Sequence, residues 1–146
     1  LTPFGRYKKP LICDEENIVK VHKNLKNVII KNTDYKNLIN DIDNKTFIYF
    51  DPPYRPLNKT SSFISYFNNN FDDNEQIRLA DFIEKCNNLG ARFLLSNSDP
   101  KNINKDDDFF DELYRNYIIL RINATRCINS KANNRGAITE LIIKNY

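Results

Sequence analysis

The stretch Thr46-Phe47-Ile48-Tyr49-Phe50-Asp51-Pro52-Pro53-Tyr54 decides how this chain is read. Its first five residues are almost continuously apolar, which predicts a strand buried on both faces. The Asp-Pro-Pro-Tyr segment after it is not an ordinary turn. Pro53 has no N–H and biases Pro52 away from the helical region, so the chain leaves the strand stiff and extended. In open α/β sheets, ligand sites gather beyond the carboxyl ends of strands. There the Asp51 carboxylate, the Pro52 carbonyl and the Tyr54 ring would present two hydrogen-bond acceptors beside an aromatic face. Such a set suits a planar ring bearing an NH₂ group. The competing reading is a Pro-Pro turn that merely ends a strand, with Asp51 and Tyr54 solvated. Placement directly after a buried strand counts against it.

Outward from this stretch the elements alternate. Asn27 to Lys31 is a short β-branched run, read as a strand. Asp72-Asp73 open a helix with Leu79, Phe82, Ile83, Cys86 and Leu89 at helical spacing and Gly90 past its end. Strands are expected at Ala91–Leu95, Tyr117–Ile122 and Ile138–Ile143, and helices at Asp14–Leu25 and Asp108–Arg115. The polar, basic segment 123–136 suits a loop between antiparallel neighbours. Strands alternating with helices predict an α/β fold with a mostly parallel sheet ending in an antiparallel pair.

Composition narrows the chemistry. The 146 residues carry 22 Lys+Arg and 19 Asp+Glu, a net charge of +3. That length suits one domain with a sizeable core. Apolar residues make up 40%, enough for a globule, but no run is long enough to span a membrane. Residues Leu1 to Arg6 contain no apolar run of the kind an export signal carries. A single His and three scattered cysteines (Cys13, Cys86, Cys127) argue against a metal centre, a Ser-His-Asp triad and a disulfide framework. A reduced, cytoplasmic setting is the default. Three glycines cannot compose a Gly-rich phosphate loop. Met is absent and the first residue is Leu, so the chain reads as a piece of a longer protein.

Phe47-Ile-Tyr-Phe-Asp-Pro-Pro-Tyr-Arg-Pro-Leu57 resembles the catalytic motif of DNA adenine-N6 methyltransferases of the D12 class, most closely the GATC-modifying enzymes of DpnII-type restriction-modification systems. Thr2 to Pro10 resembles the segment that closes the family's target-recognition domain. Thr60-Ser-Ser-Phe-Ile-Ser-Tyr66, Phe71, Gln76–Leu79, Leu95–Ser98, Thr125-Arg126, Arg135-Gly136 and Glu140–Tyr146 match the family pattern in order. The resemblance covers nearly all of the chain. It implies S-adenosyl-L-methionine as cofactor, duplex DNA as partner, and a flipped adenine methylated at N6. It implies that Asp51 and the Pro52 carbonyl accept the two amino hydrogens, with Pro53 stiffening the loop, and that Tyr54 stacks on the base.

For the cofactor, the family places an acidic residue after the strand that Val28–Ile30 would form. That points to Asp34, with its neighbour Tyr35, and Asp51 would border the same site. Pro3, Arg6, Lys8 and Lys9 would approach DNA from the recognition domain, since clustered cations neutralise phosphates. Arg121, Arg126, Lys131 and Arg135 form a second cationic group that could line the substrate's backbone. Phe63, Tyr66 and Phe71 fall where the family has a loop that closes over the base, with plain core packing as the rival reading for Phe63 and Phe71. His22 is assigned no role. Asp106 to Asp108 read as a solvated helix start.

By resemblance, residues 1–10 are the tail of the recognition domain and 11–146 the C-terminal part of the catalytic domain. The fold would be an incomplete Rossmann-like methyltransferase sheet, family order 3-2-1-4-5-7-6, with strands 1 and 2 missing. The glycine loop for the methionine part of the cofactor and the acid for its ribose are not in this sequence. Abnormal packing is therefore expected over residues 11–40. Pairing with the missing N-terminal half or with a second copy of the chain is one remedy. The alternatives are an inactive DNA-binding or assembly fragment, or an N6/N4 methyltransferase acting on RNA or cytosine.

Overall fold

The computed structural model describes residues 12–56, 71–125 and 137–146. The chain divides into two units, Leu1–Asp34 and Tyr35–Tyr146, each described by itself.

In the first unit, helix α1 spans Glu15–Asn24. The Asp14 side chain caps it by accepting from the Asn17 N–H at 3.1 Å. Glu15 and Glu16 occupy its first turn and His22 and Lys23 its last, matching the helix dipole. None of its residues is buried. A 3₁₀ turn, Leu25–Asn27, comes next. The strand expected at Asn27–Lys31 does not form. The backbone at Val28 is extended, but it pairs with no strand among the described residues, and Ile29 is 83% exposed. A β-branched run expresses its preference only when packed and paired with a neighbour.

In the second unit, a 3₁₀ segment Tyr35–Asp41 leads to strand β1, Phe47–Phe50. After it come helix α2 (Asp73–Asn88), strand β2 (Arg92–Ser98), helix α3 (Phe109–Leu113), strand β3 (Ile118–Thr125) and strand β4 (Ala137–Lys144). Asp72 caps α2 by accepting from the Glu75 N–H at 3.1 Å. Gly90 closes it at φ +84°, where a Cβ would come within 2.9 Å of the Asn44 Cβ.

The sheet order is β1-β2-β4-β3. β1 and β2 run parallel, Phe50 beside Leu95, because α2 carries the chain back across the sheet. β4 lies antiparallel to both β2 and β3, with Leu95 beside Ile143 and Leu120 beside Ile142. The fold is mixed α/β, as expected. Among the described strands one of the three pairings is parallel and two are antiparallel, because β4 lies between β2 and β3 and runs against both.

The core lies on one face. Phe50, Phe93, Leu95, Leu141 and Ile143 point from alternate sheet positions onto Leu79, Phe82, Ile83 and Cys86 of α2, and Phe110 and Tyr114 close the end. Burial raises the Cys86 thiol to about 11, so it stays neutral. Leu89, expected on the helix stripe, lies past the last turn and is exposed. The other face is open. Phe47 is 57% exposed, and Tyr49, Ile118, Leu120 and Ile122 are exposed with it. This corrects the expectation that β1 is buried on both faces. An apolar run specifies a surface that is favourable to cover, not what covers it. Among the described residues, no helix is long and apolar enough to cross a membrane.

Candidate active site

Asp51 to Pro56 leave the carboxyl end of β1 without entering helix or strand. β2 ends alongside, in Ser96, Asn97 and Ser98, all three buried. One register step beyond the Phe50–Leu95 pair sets Asp51 against Ser96. The Ser96 hydroxyl lies 3.3 Å from Asp51 Oδ1 and donates to it. It also lies 3.1 Å from the Tyr49 hydroxyl. Among the described residues this is the only side-chain bond Asp51 makes, so its second oxygen keeps its accepting capacity. The Pro52 carbonyl likewise takes no backbone donor among them. Tyr54 is 38% exposed, a ring that is seated but reachable. Partial burial raises its phenol above the ordinary value. The nearby Ser96 hydroxyl opposes this rise, and the charges of Glu140 and Asp51 add to it. The phenol therefore stays neutral and the ring offers an uncharged stacking face.

The loop is bolted from beneath. Gln76 and Asn97 are both 0% exposed. Gln76 Nε2 donates to the Pro53 carbonyl at 3.1 Å, and Gln76 Oε1 accepts from Asn97 Nδ2 at 3.2 Å. Asn97 Oδ1 accepts the Arg55 N–H at 3.0 Å and the Ser98 N–H at 2.9 Å. The Ser98 hydroxyl donates to the Arg55 carbonyl at 2.7 Å. The Arg55 side chain is held as firmly. Its Nε and Nη2 grip Asp73 at 2.7 and 3.0 Å, Nη1 reaches Asp107 at 2.8 Å, and the guanidinium lies 4.4 Å from the Phe109 ring centroid. The bond to Asp73, then that to Asp107, holds Arg55 protonated against the cost of burial.

Sequence reasoning does not single out Arg55, Gln76, Asn97 and Ser98 as site residues. Gln76 has a visible signal, a polar residue on the stripe that carries Leu79, Ile83 and Cys86. Asp107 is also reassigned from the solvated helix start. It accepts from the Phe109 N–H at 3.2 Å as well as from Arg55. Burial works to raise its carboxyl, but these bonds outweigh it and hold the group below the ordinary range. Its contribution to stability is therefore full above the ordinary carboxylate pKa of about 3.9 and is lost as pH falls through the lower folded value. Acid unfolding of Asp107→Asn is expected to be less steep below about pH 4 than that of the parent chain. Circular dichroism across that range checks this, and identical acid limbs would refute it.

Arg121 is not a free cation for DNA. Its Nε reaches Asp99 at 3.1 Å and its Nη2 reaches Asp111 at 2.7 Å. Asp99, buried at the end of β2, also accepts from the Thr139 hydroxyl at 2.6 Å, so the group ties β2, β3, β4 and α3 together. Tyr35 presents its ring edge to Phe82 at 5.2 Å beneath the Arg78 guanidinium. Phe71 rests on the core. Asp34 is exposed at the end of the first unit. Pro3, Arg6, Lys8, Lys9, Phe63, Tyr66, Arg126, Lys131 and Arg135 lie outside the described residues. Among the described residues no His/Cys/Asp/Glu cluster could hold a metal ion.

S-adenosylmethionine presents a sulfonium cation, an amino acid and an adenosine. The acceptor-rich rim of Asp51 and the Pro52 carbonyl, with the Glu140 charge felt at Tyr54, fits the cationic centre and an amino group.

Comparison with known proteins shows the family. Over 145 residues the chain is 48% identical to the type II methyltransferase M.MjaIII of Methanocaldococcus jannaschii, covering 99% of this chain and 48% of that protein. It is 38% identical over 146 residues to the type II methyltransferase M1.LlaDCHI of Lactococcus lactis subsp. cremoris, covering 99% and 49%. It is 29% identical over 140 residues to the DNA adenine methylase of Escherichia coli K12, covering 96% and 48%. The chain thus spans about half the length of the curated relatives it matches. Residues 2–128 match the family profile described as D12 class N6 adenine-specific DNA methyltransferase, and the chain belongs to that family.

Proposed function

We propose that this chain is the C-terminal catalytic portion of an enzyme that moves a methyl group from S-adenosylmethionine to adenine N6 in duplex DNA, at GATC sites of a restriction-modification system. One observation carries the reading. Among the described residues Asp51 and the Pro52 carbonyl keep accepting capacity at the end of β1, just ahead of the exposed Tyr54 ring.

The amino lone pair of adenine is delocalised into its ring and is a poor nucleophile. Bonds from both N6 hydrogens to Asp51 and the Pro52 carbonyl localise that pair and aim it outward. The cofactor supplies a methyl group on a sulfonium, and the protein's part is alignment and electrostatic support of an in-line displacement. Asp51 is the acceptor for the proton that N6 sheds. Stacking on Tyr54 contributes roughly 1–3 kcal/mol, which offsets a flipping cost of about the same order.

The half-length match extends the proposal. The remaining half of such an enzyme would supply the cofactor's glycine loop and most of the DNA-recognition surface. Asp34 and Tyr35 would contribute to the cofactor's adenine site. Pro3, Arg6, Lys8, Lys9, Tyr66, Arg126 and Arg135 would face DNA. Residues 1–10 would be the tail of the recognition domain. The open sheet face around Phe47 and Tyr49 is the natural seat for the complementary half.

The test is transfer of labelled methyl from S-adenosylmethionine to duplexes with GATC or a scrambled site. The chain would be assayed alone and with the N-terminal half of its M.MjaIII relative. Labelling that requires GATC is expected with the added half. No labelling in any combination would reject the enzymatic reading and leave an inactive fragment.

A further inference from the structure

We infer that Gln76 and Asn97 are positioning residues whose two amides form a one-way relay that sets the peptide planes on both sides of Tyr54. The inference rests on the reading of Asp51 to Tyr54 as the seat of the adenine amino group. The relay begins at the Pro53 carbonyl, which can only accept, and ends at the Arg55 N–H, which can only donate. Between these fixed ends the order is forced. Gln76 Nε2 must face Pro53, and its Oε1 must face Asn97 Nδ2. Asn97 Oδ1 is then the group that faces Arg55. Turning either amide over sets oxygen against oxygen or N–H against N–H. Side-chain amides are often ambiguous in orientation, but here the backbone ends decide it.

Both amides are fully buried, so no water competes for these bonds. The bonded backbone groups belong to the residues immediately before and after Tyr54. The ring is therefore held by its flanking peptides and stays free to meet a base. Gln76 comes from α2 and Asn97 from β2, so two regular elements, rather than the loop itself, dictate where the ring stands. Asp73, one turn earlier on α2, grips the Arg55 side chain and reinforces the same placement. The Ser98 hydroxyl on the Arg55 carbonyl fixes the next plane.

The sharpest consequence is that Asn97 controls the Pro53 carbonyl, which it does not touch. In Gln76→Glu, a carboxylate oxygen faces Pro53. In Asn97→Asp, a carboxylate oxygen faces Gln76, and turning Gln76 over to meet it again leaves Pro53 facing an oxygen. Both near-isosteric variants should therefore release the same bond. The experiment labels the full chain with 3-fluorotyrosine and reads the Tyr54 fluorine resonance, assigned through Tyr54→Phe. Methyl transfer is measured in parallel with the complementary half present. Both variants are expected to shift or broaden the Tyr54 resonance alike. Both are expected to lower kcat by about 10- to 100-fold, with KM for S-adenosylmethionine changed by less than about threefold, because the relay bonds to the peptides flanking Tyr54 and not to Asp51.

An unchanged Tyr54 resonance in either variant overturns the relay. So does a rise in KM at constant kcat. If the parent chain transfers no methyl group while both variants still disturb Tyr54, the relay stands and the enzymatic reading fails. Should both isosteres prevent folding, Gln76→Met keeps the volume, adds no charge and removes the donor to the Pro53 carbonyl. It must disturb the same resonance, and silence there equally refutes the proposal.

Discussion

Replacing Asp51 with Ala is expected to lower methyl transfer to adenine by about 10²- to 10³-fold, chiefly in kcat. The expectation comes from the geometry at the end of β1. Ser96 holds one carboxylate oxygen from the side of β2 and the other is unengaged among the described residues. That second oxygen meets the amino group as its lone pair turns toward the methyl donor, so its contribution grows toward the transition state. Asp51→Asn should be milder. The Ser96 hydroxyl can rotate to accept from the new amide and leave its oxygen for the substrate. The proton acceptor is lost but one hydrogen-bond acceptor remains. The order of rates is therefore parent, then Asn, then Ala, measured in single-turnover labelling with the complementary half present. An Ala variant within about threefold of the parent would remove Asp51 from the mechanism.

The parts legible in sequence share one property: their signal is local. β1, α2 and β2 declare themselves by period, by Asp72 at a helix start and by Gly90 at its end. The tetrad declares itself because two prolines after an apolar strand admit few conformations. Signals failed where the answer depends on a distant neighbour. Val28 to Ile30 has the composition of a strand, yet no strand pairs with it among the described residues. The spacing of the strands does not by itself place β4 between β2 and β3; only the family order named from the resemblance carries that placement. Gln76 and Asn97 each lie in a stretch that matches the family pattern, but they are 21 residues apart and nothing in either stretch announces that their two amides bond to each other. Arg121 and Asp107 look like solvated charges in a polar sequence, and each proves to be half of an ion pair. Charge in a sequence shows what a side chain can bind, not whether a partner already holds it.

Phe93 and Phe47 are the same residue type on neighbouring strands, and their truncation should give opposite results. Phe93 is 0% exposed. Its ring meets Tyr117 at 5.0 Å and Phe50 at 6.3 Å, both edge to face. Phe93→Ala leaves a cavity between α2 and the sheet and should cost about 3–5 kcal/mol. A domain of this size holds only about 5–15 kcal/mol in total. The expected result is a fall in melting temperature on the order of 10–20 °C, or no cooperative transition at all. Phe47 is 57% exposed on the open face, with an edge-on contact to Tyr146. Phe47→Ala should change the stability of the chain by no more than about 0.5 kcal/mol. If the complementary half covers that face, the same truncation should weaken assembly by about 10-fold or more, from the lost burial of one large apolar side chain. Thermal melts of the chain alone and titration with the N-terminal half separate the two effects. A Phe47 variant that assembles as tightly as the parent would show that the open face is not where the two halves meet.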